Sequence, residues 1–134
     1  MGSFSDYLEN ELLKHVFKVG GGYSVPTNIY IALTKSTIED DDTGSTLPTE
    51  VSGGAYARKT CNTWTTPAAN TISNSVVVQF AQATANWGTV TDFAIVDHSS
   101  TGKLLGYGKL TTPKKIGTDD TAKFATNDID VSLT

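Results

Sequence analysis

The chain has 134 residues, 38% of them hydrophobic and 18% charged, with a formal net charge of −4. This size suits one domain with its own core. The acidic balance argues against nucleic acid or an anionic membrane as partner, because either would call for a basic surface.

Twenty-one residues are threonine and 12 are glycine. Threonine is β-branched and fits a pleated, half-wet surface, so the composition favours a mainly β body. A single cysteine, Cys61, excludes an internal disulfide. No apolar run approaches the ~18 residues of a membrane span. The opening MGSFSDYLENELL lacks the basic stretch and unbroken apolar run of a secretory signal. The expectation is a single domain over 1–134, with a helical packing segment at 1–20 and a β body at 21–134.

Residues 4–18 read as the one helix. Ser3 is the expected cap, Asp6 its capping-box-like partner, and Gly20-Gly21-Gly22 the stop. Phe4, Leu8, Leu12 and Val16 are spaced by four, and Leu13 and Phe17 fall on a second arc. A surface helix ordinarily has one apolar face. Two arcs imply either a helix embedded in its own core or one shared with a second subunit. In the second case Phe4, Leu8, Leu12, Leu13, Val16 and Phe17 form an oligomer interface.

The rest alternates with period two. Ile29, Ile31 and Leu33 point one way in NIYIALT, as do Val76, Val78 and Phe80 in SVVVQF and Phe93 and Ile95 in DFAIV. Ile129, Val131 and Leu133 alternate with Asp128, Asp130 and Ser132 at the chain end. AYARKT (55–60) and KLLGYGKL (103–110) are further candidates. About six or seven strands follow one helix, and none is followed by a helical stretch. That excludes βαβ units and leaves an antiparallel sandwich or barrel-like sheet.

Three segments read as loops: 36–54, 62–74 and the turn 97–102. The first is long and carries Glu39-Asp40-Asp41-Asp42, so Asp40, Asp41 and Asp42 are candidate partner contacts. The acids are contiguous and no bidentate glutamate follows, which does not fit an EF-hand. Trp87, in Asn86-Trp87-Gly88, is expected to cover the Gly106–Gly108 stretch, with a sugar-stacking platform as the functional alternative.

Searching for chemistry returns little. Asp97-His98 lacks a nearby second histidine or cysteine, and His15 lies on the helix, so no metal centre is expected. Cys61 has no flanking nucleophile signature and reads as a small buried hydrophobe. Glu9 and Glu11 lie about 200° apart on the helix. Gly20-Gly21-Gly22 follows a helix and lacks the lysine of a phosphate loop. A glycan hydrolase would need two carboxylates across a cleft, and Asp92 with Asp97 is the least unfavourable pair. The expectation is no enzyme and no cofactor.

The words SFSDYLENELLKHVF, GGAYARK, NWGTVTDFAI and GKLLGYGKLTTPKKIGTDDTAKFATNDIDVSL, in that order, resemble a family of small phage structural proteins often labelled tail-fibre proteins. The resemblance spans nearly the whole chain and departs most at 60–74. It implies a virion surface protein, made in the host cytoplasm, with no catalytic motif to carry over. The chain is short and lacks a repeat or stalk, and it is similar in size and composition to decoration proteins of HK97-type heads. The first expectation is therefore a capsid decoration, or cement, protein on the capsid surface. It would bind the major capsid protein and itself, as a dimer with a trimer as the alternative. The second expectation is a tail-fibre or tail-tip module that binds the host surface.

Overall fold

The computed structural model describes residues 2–133. Elements follow in the order β1 (Gly2–Phe4), α1 (Asp6–Phe17), β2 (Tyr30–Thr34), β3 (Lys59–Thr60), β4 (Thr71–Ser73), β5 (Val78–Gln79), β6 (Gly88–Val96), β7 (Leu104–Ile116), β8 (Lys123–Phe124) and β9 (Asp130–Ser132). Seven strands form one sheet in the order β3-β2-β6-β7-β1-β9-β4, and β5 pairs with β8 apart from it. The large sheet curls into a half-barrel, so the mainly β, barrel-like expectation holds. The pairing is antiparallel except between β1 and β9, which run parallel at Gly2 and Val131.

The helix differs from expectation at both ends. Ser3 and Phe4 are not its first turn. They belong to β1, opposite Tyr107 and Gly106 of β7. Ser5 is the cap: its Oγ accepts from Leu8 N at 3.3 Å and also donates to the Leu104 carbonyl. Pairing with an open strand satisfies the backbone of residues 2–4 better than one more helical turn, whose first amides lack partners. At the other end Lys18 turns left-handed (φ 60°) and closes the helix before the glycines are reached.

Alternation places the core. Ile31, Leu33, Phe93, Ile95, Leu105 and Val131 line the inside of the half-barrel with Val78, Phe80, Trp87 and Ile129. The opposite face of β2, β6 and β7 is also dry. Ala32, Ala94, Val96 and Leu104 lie there beneath Ile38 and Leu47 of the 36–54 segment. That segment is therefore a lid on the sheet as well as a connection.

Other expectations shift in register. SVVVQF contributes only Val78–Gln79 to a strand, and Val76 and Val77 stand exposed, as does Leu133. AYARKT contributes only Lys59–Thr60. Residues 62–74, expected as a loop, hold a hairpin. Ala68 and Thr71 exchange two backbone hydrogen bonds around Ala69 and Asn70, both at positive φ. This is the geometry of a tight primed turn, reached here without the usual Asn-Gly signature.

Trp87 does not cover Gly106–Gly108. Its Nε1 donates to Gly54 O at 2.8 Å, and its ring meets Tyr56 and Phe80 edge-on. What crosses the two glycines is β1. A Cβ on Gly108 would lie 2.9 Å from Gly2 Cα, and one on Gly106 would lie 2.9 Å from Ser3 O. The glycines are there for close strand approach.

Candidate functional site: an apolar helix face, a groove and a locked loop

None of the residues of α1 is buried. Its inner side is half-covered. Leu8 and Leu12, with Phe4 from β1, line a groove of about 350 Å³ whose other walls are Tyr23, Ile29, Trp64, Ile72, Leu105 and Val131. Its outer side is bare: Leu13 is 57% exposed, Val16 61% and Phe17 70%, and Val19 follows at 62%. The six apolar residues read from the sequence therefore divide. Phe4, Leu8 and Leu12 face the groove, and Leu13, Val16 and Phe17 form a ridge in solvent. Tyr23, Trp64 and Ile72 complete the groove from distant parts of the chain: Ile72 through the β4–β9 pairing, Trp64 through its bridge to Asn74, and Tyr23 through the bond from its N to His15 Nδ1. Nothing local in the sequence marks them.

The acidic run lies at the opposite end of the helix from this ridge. The Asp40 carbonyl accepts from Asp6 N at 3.1 Å, and its carboxylate accepts from the Tyr107 hydroxyl. Burial, followed by that bond to Asp40, pushes the Tyr107 phenol up. Asp42 Oδ2 accepts from Glu39 N at 2.8 Å, and Asp41 is exposed. Acids beside the first turn of a helix complement its dipole.

Arg58 locks this lid, and no motif in the sequence marks it. It is 8% exposed and uses all five guanidinium N–H groups. Nε and Nη2 reach Glu50, Nη2 also reaches Gly44 O, and Nη1 donates to the carbonyls of His98 and Thr101. Tyr56 extends the network, accepting from Leu33 N at 3.0 Å and donating to Glu50 Oε1 at 2.9 Å. Burial drives its phenol pKa well above the ordinary range. The one available signal was an arginine sharing a strand-like alternation with Tyr56 in AYARKT.

The remaining candidates are each held in local contacts. Asp92 is buried on the lid side, 3.5 Å from Lys109 Nζ, and Lys109 also donates to Thr37 of the lid. Asp97 accepts from Lys103 N at 2.7 Å in the turn that follows β6. Five positions apart along nearly extended chain, roughly 16 Å, the two aspartates do not face one cleft. His98 Nδ1 accepts from Ser100 N and Thr101 N within its turn, and His15 Nδ1 accepts from Tyr23 N behind the helix. Cys61 is buried, and desolvation raises its thiol pKa. Among the described residues no group of three or more His, Cys, Asp and Glu could hold a metal ion, and no helix is long and apolar enough to cross a membrane. A second concavity, about 540 Å³, opens where residues 110–113 of β7 lose their partners on β6, and Lys109, Lys114, Lys123, Phe93 and Phe124 border it.

The family model described as Podophage GP4 fiber I protein gp80 matches residues 3–132. The chain belongs to that family. The resemblance read from SDYLENELL, GGAYARK and NWGTVTDFAI thus points to the right group, a phage structural protein family of the fibre kind. The match includes 60–74, where the resemblance was weakest. No curated protein matches the chain.

Proposed function

We propose that this chain is a non-catalytic structural subunit of a phage tail fibre, held in the virion by protein–protein contact through the α1 side of the half-barrel. The observation that carries the proposal is the ridge of Leu13, Val16 and Phe17 beside an apolar groove, in a member of a fibre family. Contiguous apolar surface of this kind on a small acidic protein marks a contact site. The locked loops supply a stiff body on which such a contact can bear load. Of the two particle positions expected from the sequence, the family name supports the tail. The capsid-cement role, with the major capsid protein as partner, takes second place.

The test is the copy number of the chain in purified virions, by quantitative mass spectrometry against the major capsid protein, with antibody-labelled particles imaged in parallel. A small fixed number of copies, with label on the tail, is the expected result. Copies in simple proportion to the shell subunit would move the protein to the capsid. Absence from the particle would end the structural reading.

A further inference from the structure

We propose that the concavity of about 540 Å³ between β7 and β8 is a binding site for an acidic saccharide, a sugar that carries a carboxylate or a phosphate. It shares no lining residue with the groove beside α1, so the site goes beyond the contact role of that face and does not depend on it.

The hollow is made by a break in the ladder. Val90 pairs with Lys114 and Asp92 with Lys109, so Thr91 alone stands opposite Leu110, Thr111, Thr112 and Pro113. Those four residues have no ladder partner among the described residues. Pro113 has no amide hydrogen and cannot rejoin the ladder there. Bulges re-aim side chains away from the regular pleat and gather beside functional sites. This one is not healed from within. Thr91 Oγ1 is buried and has no hydrogen-bond partner among the described residues, a state that native folds allow few polar atoms.

The lining selects the ligand. Lys114 from β7 and Lys123 from β8 border the hollow, stand exposed, and make no ion pair or side-chain hydrogen bond among the described residues. Lys109 is already committed to Asp92 and Thr37. Asp128, the one acid of the lining, accepts from Ala125 N at 2.8 Å. Two uncommitted cations on one hollow, in a chain of net charge −4, call for an anionic group. The exposed hydroxyls of Thr111, Thr112 and Thr121 can each donate and accept, as the hydroxyls of a sugar require. The floor is apolar. Phe124 is half-buried edge-on to Phe93, centroids 6.0 Å apart, which orients its ring as a surface for the apolar face of a pyranose. The volume falls within the range of about 300–1,000 Å³ typical of small-ligand sites and far exceeds one inorganic ion. Nucleic acid fits less well, because its affinity comes from neutralising many phosphates and two lysines on an acidic chain supply few.

The experiment titrates the purified full-length chain by isothermal calorimetry, with trigalacturonate and glucose 6-phosphate as the acidic probes. Maltotriose, inorganic phosphate, hexaglutamate and a short single-stranded oligodeoxynucleotide are the comparisons. At least one acidic sugar should bind, about tenfold or more tighter than maltotriose and phosphate, and should weaken as salt is raised. Replacing both lysines, Lys114→Gln with Lys123→Gln, should weaken that binding about tenfold, with circular dichroism unchanged. Lys115→Gln, at the next residue of β7 but outside the lining, should leave it as it was. Binding of neither acidic sugar, equal binding of maltotriose or of phosphate alone, tighter binding of hexaglutamate or the oligonucleotide, or an equal loss in Lys115→Gln would overturn the proposal. None of these results bears on the copy number of the chain in virions, so the saccharide site and the fibre reading fail separately.

Discussion

Arg58 and Glu50 meet as a bidentate pair, Nε 2.8 Å from Oε1 and Nη2 2.9 Å from Oε2. The guanidinium side of the pair is nearly fully buried and the carboxylate largely so, with side chains 2% and 23% exposed. Its remaining donors hold Gly44 in the lid and His98 and Thr101 in the turn after β6, so one side chain ties both segments to its own.

Replacing Arg58 by alanine leaves three carbonyls without their donors and the partly buried Glu50 carboxylate with only the Tyr56 hydroxyl. Removing one partner of a buried ion pair costs about 3–5 kcal/mol, and this loss is expected in chemical denaturation. Arg58→Lys should recover less than half of it, because an ammonium cannot span five acceptor positions fixed for a planar fork. Hydrogen exchange should speed up selectively in 43–51 and 97–103. A loss below about 1 kcal/mol, the range of surface pairs, would show that the lid holds without the hub.

What the sequence made legible follows from whether a pattern is local. Period-two alternation in β2 and β6 survives into the structure because each strand keeps one face inside the half-barrel. The four-residue spacing of Leu8, Leu12 and Val16 likewise shows where a helix lies. Gly2–Phe4 carries no such pattern, and only the glycines of β7, far along the chain, make its strand conformation favourable. Ile38 sits among Ser, Thr and Asp and reads as a loop residue, yet it is 2% exposed because the lid folds back over Ala94 and Val96. Arg58 stayed hidden for the converse reason: arginine ordinarily faces water, and its acceptors come partly from the lid and partly from a turn some forty residues on. The ridge of the candidate site was legible, while the groove, built by long-range pairing, was not.

Gly108 tests the fit of β1 against β7. An added Cβ would meet Phe93 Cζ at 2.8 Å and Gly2 Cα at 2.9 Å, and backbone cannot yield as a side chain can. Gly108→Val should cost about 1–3 kcal/mol through overpacking. It should also release β1 and the Ser5 cap, raising hydrogen exchange across 2–17 ahead of the rest. Uniform exchange, with β1 as protected as in the parent, would mean that the strand pair opens without penalty.

Asn74 is fully buried and joins three segments. Its Nδ2 donates to the carbonyls of Val76 and Ala125, and its Oδ1 accepts from Ile129 N at 2.9 Å. Asn74→Ala leaves these buried groups unpaired, at about 1–3 kcal/mol. Asn74→Asp should be worse than alanine. It keeps the acceptor for Ile129 but turns a second oxygen toward two carbonyls. Thermal unfolding of the three proteins should rank them Asn, Ala, Asp. An aspartate variant as stable as the parent would contradict the hydrogen-bond assignment.

Alkaline pH should weaken the fold through groups whose protonated forms the native state holds. Burial raises Tyr56 from its ordinary 10.0, with the neighbouring Glu50 adding to the shift, and burial raises Cys61 from 9.0. A native pKa above the unfolded value means that the native state binds more protons. The stabilisation is therefore complete below the unfolded pKa and is lost as pH climbs above it. Unfolding free energy should stay level to about pH 9, then fall, by at most about 1.4 kcal/mol per pH unit for each such group. Cys61→Ala should delay the onset. Tyr56→Phe should lower stability at pH 7 by about 1–3 kcal/mol, since Leu33 N–H and Glu50 lose their partner, and should make the limb above pH 10 shallower. Tyr7, Tyr23 and Tyr107 are also raised, chiefly by burial, so some slope remains. An alkaline limb as steep in Tyr56→Phe as in the parent would exclude Tyr56 as its source and shift the effect to the other tyrosines.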